Sequence, residues 1–329
     1  MTGIFRQKTP ANILLLIILG VLLRLPSFFQ AHGHVSKTGD GVLYTEGIAL
    51  LQQWGLGSPL VFAIIAFILN LAIAFRLNQF IHTNRLMTRP NFLPGMAYIL
   101  VTALLPSFNR VSSNLVASLF LLGVFILLYK SHTSKTEKNH IFNAALLVGL
   151  SSMFFFPAVF FIVWVFIALA MLRPFNLAEW ALALLGLTTP YYFYASYLFL
   201  TDNLHIPGYF YQLSFLSSDV RYTAWHSGAL FFLLAPLFAG IYYMQANSNK
   251  MIIHVRKSWY LFLWYLIAAI VISFFNIENS SENVVMALIP VAALHGYGYL
   301  NAELKIYPKI AFWLTVGFIV CSQLFSTLW

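Results

Sequence analysis

Residues 141–172 read IFNAALLVGLSSMFFFPAVFFIVWVFIALAML, without one charged side chain. At about 1.5 Å rise per residue the stretch is too long for one membrane crossing and short for two. Ser151-Ser152 and Pro157 offer a place to break, and two short helices can turn there if protein covers the turn, because lipid cannot satisfy bare backbone groups. One crossing or two at this point decides the side on which every later loop lies. With two crossings and the N-terminus inside, all but four of the 18 Lys+Arg residues fall in cytoplasmic loops and span ends. The exceptions are Arg24, Lys37, Arg110 and Arg221. With one crossing the later loops swap sides and the bias collapses, so the positive-inside rule favours two.

Working outward, about eleven apolar runs approach the roughly 20 residues that a bilayer needs. They cover approximately 12–30, 59–80, 92–107, 112–130, 141–154, 156–173, 178–200, 228–246, 259–276, 283–301 and 309–328. The composition agrees: 60% of the 329 residues are hydrophobic, 17% aromatic and 8% charged. The mean hydropathy is +0.81. A soluble domain carries roughly 25% charged residues, so soluble enzymes are excluded. Continuous apolar runs also argue against a barrel, whose strands alternate. The expected fold is all-α: a polytopic transmembrane bundle forming one integral membrane domain over 1–329. The expected place is a bacterial cytoplasmic membrane, with the N-terminus inside and the C-terminus outside. No small-residue cleavage site follows Leu25-Pro26, so the first span is expected to stay.

The net charge of +9 sits in short loops and reads as orientation, not as a nucleic-acid surface. Cys321 is the only cysteine, which excludes an intrachain disulfide and a cysteine metal site. There is no GxSxG, Walker loop or GxGxxG. Nothing suggests inverted repeats of broken helices, as in secondary transporters.

The acids run against the basic residues. Asp40, Glu46, Asp202, Asp219, Glu278 and Glu282 fall outside, and Glu137, Glu179 and Glu303 inside. Acids contribute little to topology, so orientation alone does not explain this clustering. Two long outer loops, 31–58 and 201–227, hold many of them and mark the working face. In the first, an amphipathic helix over 41–54 is expected to lie on the membrane surface behind Asp40. Asp40 is either its N-cap or a carboxylate aimed at a polar head group. Glu46 lies on another face of that helix. Arg24, near the outer end of the first span, either snorkels to the head groups or grips a lipid phosphate with its planar fork. Arg110 and Arg221 are the other outer arginines. Asp219 and His226 flank Arg221 in an aromatic segment, which is either a surface pair with an aromatic belt or part of a site. His32-x-His34, with His205, His226 and the outer acids, admits a divalent metal as the weaker reading; no cofactor is expected. Asn176 and Glu179 look like a capping box behind Pro174. His295, Tyr297 and Tyr299 look like packing residues.

The inside N-terminus, the first span ending in Arg24-Leu25-Pro26, and the long outer loop with an acid before a helix, Asp40 to Tyr44, resemble GT-C-type glycosyltransferases. The layout is also similar to that of many bacterial multi-pass membrane proteins without an assigned role. The GT-C resemblance implies an enzyme that takes a sugar from a polyprenyl-phosphate carrier on the outer face, with Asp40 as its acid and Tyr44 as the tyrosine that follows. The acid stands singly in Gly39-Asp40-Gly41, and Glu282-Asn283 stands ahead of Pro290 where the family often has Arg or Tyr. The expected partners are the lipid-linked sugar donor and membrane lipids. The competing expectation is a non-catalytic subunit or scaffold of an envelope-assembly or secretion complex.

Overall fold

The computed structural model describes residues 2–7, 9–29, 37, 39–133, 137–202, 224–275 and 281–325. These are helical almost throughout. Among the described residues the only strand-like pairing is an isolated antiparallel bridge between Asp40 and Phe155.

After a single turn, α1 (Thr2–Phe5), come α2 (Pro10–Phe29), α3 (Val42–Gln53), α4 (Pro59–Thr83) and α5 (Leu93–Ala103). A 3-10 turn over Pro106–Asn109 leads into α6 (Ser113–Thr133) and α7 (Glu137–Phe154). A second 3-10 turn, Phe156–Phe160, separates α7 from α8 (Phe161–Leu172). Then follow α9 (Leu177–Leu200), α10 (Ala224–Asn247), α11 (Ile253–Ser273), a 3-10 turn over Ser281–Ala287, α12 (Leu288–Asn301) and α13 (Tyr307–Leu324). Seven of the described helices are long and apolar enough to cross a membrane, and two shorter apolar helices, Leu93–Ala103 and Phe156–Leu172, accompany them. The chain is therefore a multi-pass membrane protein.

The apolar stretch at 141–172 is broken, as its length requires. Phe155 is extended (φ −135°, ψ 105°) between α7 and the 3-10 turn. The serines stay helical, bonding back to Val148 and Gly149, and the break falls where Pro157 can no longer donate. Elsewhere the caps follow the sequence. Ser58 caps α4 by accepting from Val61 N, with Pro59 at the first helical position. Asn176 caps α9 by accepting from Ala178 N. Glu179 departs from a capping box: its carboxylate pairs with Arg173 at 3.0 Å, and Arg173 also donates to Ser131 O at 3.1 Å. A half-buried guanidinium at a helix stop competes with a backbone N–H for that carboxylate.

The core is aromatic. Phe125 stacks on Phe262 with ring centres 4.2 Å apart, and Trp164 meets Tyr265 edge-on at 5.1 Å. Small residues let helices close up where α10 crosses α12: a Cβ on Gly240 would lie 2.2 Å from Leu294 O.

Hydrogen bonds gather the helix ends into two sets. At one end Arg6 donates to Tyr299 O (2.9 Å), Phe92 N to Phe5 O (2.8 Å) and Trp259 Nε1 to Leu86 O (3.1 Å). At the other, Gly41 N donates to Phe154 O (2.7 Å), Asn114 to Glu282 O (3.2 Å) and Gln323 to Leu23 O (2.7 Å). This second end carries Asp40.

Candidate functional site

Asp40 is placed by backbone. Lys37 and Asp40 close a tight turn, Asp40 N donating to Lys37 O at 3.1 Å and Lys37 N to Asp40 Oδ2 at 2.9 Å. The chain then runs beside the α7–α8 break, Gly41 N bonding Phe154 O and Phe156 N reaching Gly39 O at 3.4 Å. Only glycine fits at 41, because a Cβ there would sit 2.1 Å from Met153 O. Gly41 is also the N-cap residue of α3, and no side chain caps that helix. The cap reading of Asp40 is thus corrected: its buried carboxylate turns back to the Lys37 N–H instead of forward into α3.

Tyr44 lies one turn into α3, buried with Ile48 and Phe62. Its hydroxyl donates to Val111 O at 3.2 Å. Burial, then the negative charges of Asp40 and Glu282, hold this phenol far above its ordinary pKa. Lys37 links the two carboxylates, its N–H donating to Asp40 and its ammonium meeting Glu282. Glu282 is 6% exposed and pairs with Lys37 Nζ at 2.5 Å. Its backbone is held by Asn114, which donates to Glu282 O at 3.2 Å and to Asn283 Oδ1 at 3.3 Å. Ser273 donates to Asn283 O at 2.8 Å. The buried Asn114 Oδ1 has no hydrogen-bond partner among the described residues.

Arg24 lies beneath the same end of the bundle, 2% exposed. Nε donates to Asn109 Oδ1 at 2.6 Å, Nη2 to Thr102 Oγ1 at 2.6 Å and Nη1 to Gly20 O at 3.5 Å. Its guanidinium carbon sits 5.6 Å from the Phe67 ring centre. Among the described residues it forms no ion pair. Snorkelling to the surface is not what is built. Asn109 ends the 3-10 turn, two residues before Val111, so one short segment touches both Arg24 and Tyr44.

The remaining expected residues scatter. Glu46 is exposed and accepts from Tyr194 at 3.4 Å. Arg110 is exposed at the end of its 3-10 turn. His226 is half-buried near the start of α10. Asp219, Arg221, Glu278, His32, His34 and His205 lie outside the described residues. No group of three or more His, Cys, Asp or Glu that could hold a metal occurs among the described residues. His295 is a packing residue, bonded to Leu233 O at 2.9 Å.

Three segments thus bring two acids, a phenol, a lysine and amide groups to one end of an apolar bundle, over a buried guanidinium. A carboxylate there can accept a proton, and a cation can offset charge on a leaving oxyanion. Glu282 as partner of Lys37, and Asn109 and Thr102 as partners of Arg24, escape a reading by residue type. The available signals are Lys37 standing against the charge bias and the polar run Ser107-Phe108-Asn109-Arg110 between two spans.

The chain matches a family of unknown function, DUF6427, over residues 53–327, and it belongs to that family. No curated protein and no solved structure matches it.

Proposed function

We propose that this member of the DUF6427 family is a GT-C-like glycosyltransferase that takes a sugar from a polyprenyl-phosphate carrier at the Asp40 end of the bundle. The observation carrying the reading is that Lys37 joins buried Asp40 and buried Glu282, with Tyr44 one turn further along the chain, at the end of the bundle that also buries Arg24. A scaffold needs the topology but not these converging groups. In this reading Asp40 removes the proton from an acceptor hydroxyl as its oxygen attacks the anomeric carbon. The bond from that carbon to the carrier phosphate breaks, and its electron pair leaves with the phosphate. Arg24, Arg110 or Arg221 offsets the new charge. Lys37 ties Glu282 down in an ion pair, which leaves the proton transfer to Asp40 in this reading.

Eleven crossings, with the N-terminus inside and the C-terminus outside a bacterial cytoplasmic membrane, fit this assignment. The two sets of helix-end hydrogen bonds support the count. The N-terminal side of α7 follows α6 closely, and Arg173 beyond α8 returns to Ser131 of α6. In this reading the α7–α8 pair goes out and back, with its turn beside Asp40.

The test is Asp40→Asn beside Asp40→Ala in a strain lacking the gene. Asn keeps an oxygen for the Lys37 N–H, so Asp40→Asn should insert normally yet fail to restore the phenotype. Purified Asp40→Asn should leave a lipid-linked sugar untransferred. Full complementation by Asp40→Asn would sink the enzyme reading and favour a scaffold.

A further inference from the structure

We propose that Arg24, Asn109 and Tyr98 form a resident oxyanion site inside the bundle, which takes a phosphoryl group with or without sugar transfer at Asp40. The starting point is a charge without a counter-charge. Arg24 is buried within a membrane span, where an isolated cation is costly and marks a functional position. All the partners around it among the described residues are neutral.

The neighbouring donors are equally unanswered. A guanidinium can only donate, so Asn109 must present Oδ1 to Arg24 Nε, and this leaves its Nδ2 group pointing elsewhere. That buried Nδ2 has no hydrogen-bond partner among the described residues. Neither has the hydroxyl of Tyr98, which is fully buried. Tyr98 lies one helical turn before Thr102, the residue that Arg24 Nη2 touches, on the same face of α5. Thr102 spends its own proton on Tyr98 O at 2.8 Å. Arg24 itself keeps unassigned hydrogens on Nη1 and Nη2.

Unanswered donors around an unanswered cation describe a place for an acceptor with negative charge and several oxygens. A phosphoryl group has that character, and the terminal edge of a guanidinium suits two of its oxygens. Such a group can come from free phosphate or from a lipid head group.

The experiment uses the whole protein purified in neutral detergent without phosphate. Thermal unfolding is followed by tryptophan fluorescence during titration with inorganic phosphate. In parallel, nanodiscs of phosphatidylcholine are compared with nanodiscs containing phosphatidic acid. A saturable rise in the unfolding midpoint is expected. A response to inorganic phosphate identifies a free oxyanion, and a response confined to phosphatidic acid identifies a lipid head group; either supports the site. Asn109→Asp supplies the missing charge on the same atoms, so it should unfold higher without phosphate and lose the response. Tyr98→Phe, which keeps the fold's packing, should weaken the apparent affinity about tenfold, as for one lost hydrogen bond. Asp40→Asn should respond like the unaltered chain, which separates this site from the sugar-transfer reading. No saturable response to either probe, or an unchanged response in both Asn109→Asp and Tyr98→Phe, would overturn the proposal.

Discussion

Lys37 Nζ and Glu282 Oε2 lie 2.5 Å apart although 245 positions separate them in the chain. The pair ties the first loop to the entry of α12 at the end of the bundle where Asp40 sits. The lysine side chain is 22% exposed and the glutamate 8%, so solvent screens the contact only in part. A double-mutant cycle with Lys37→Met and Glu282→Gln should give a coupling on the order of 1 kcal/mol in detergent unfolding. Glu282→Gln should cost more than Lys37→Met, because Asn114 and Ser273 hold the Glu282 segment in place around a changed partner. Strict additivity would remove the tie.

Gly41 and Gly47 sit in the same region and should respond in opposite ways to alanine. A Cβ at 41 would run into Met153 O and Phe154 C, at 2.1 and 2.8 Å, while a Cβ at 47 would meet nothing within 4 Å. Gly41→Ala should cost about 3 kcal/mol or more, as expected for a blocked backbone contact. Gly47→Ala should gain about 0.5–1 kcal/mol from helix propensity. Thermal midpoints of the two variants check both signs.

Tyr44 gives an alkaline signature. Its phenol is raised in the folded state, first by burial and then by Asp40 and Glu282. A raised group contributes stability that is fully present below its unfolded pKa of about 10 and is lost as pH climbs above it. Tyr44→Phe should therefore cost about 1 kcal/mol near neutrality, from the lost bond to Val111 O. The same variant should lose less stability than the unaltered chain when pH rises past about 10. Parallel unfolding curves from pH 7 to 11 decide it; identical alkaline slopes would contradict the assignment.

Orientation can be read by cysteine labelling in a Cys321→Ser background. Cysteines at Ser36 and Ser214 should react from outside intact cells, and cysteines at Ser134 and Ser248 only after permeabilisation. Labelling of Ser214 and Ser134 from one side would mean that α7 and α8 do not make two crossings.

Much of the helical layout was legible because hydrophobic length and breakers act locally. The run expected at 59–80 is Pro59–Thr83, and the loop helix expected at 41–54 is Val42–Gln53. The expected span at 92–107 ends early as a helix, at Ala103, because Pro106 opens a 3-10 turn. Asp40 and Arg24 stood out as a lone acid in a glycine pair and a charge within a span. Their surroundings did not. Asp40 is positioned by main-chain bonds to Phe154 and Phe156, which leave no trace in side-chain type. Arg24 is met by Asn109 and Thr102, neutral residues that look like ordinary loop and helix positions. Glu282 seemed a turn acid until a partner from the far end of the chain reached it.

The backbone joint between Gly41 and Phe154 also sets an order of assembly. During synthesis Gly41 emerges long before Phe154 exists, and Glu282 later still. The Asp40 loop must wait through the insertion of α4 to α7 before it has anything to dock on, and then for α11 before Lys37 finds its glutamate. Gln323 reaches Leu23 only after 300 residues have intervened. A nascent chain stopped before residue 282 can be inserted, helix by helix, and still hold its acid at an unfinished site. Any chemistry at this end of the bundle is thereby withheld until almost the whole chain has been made.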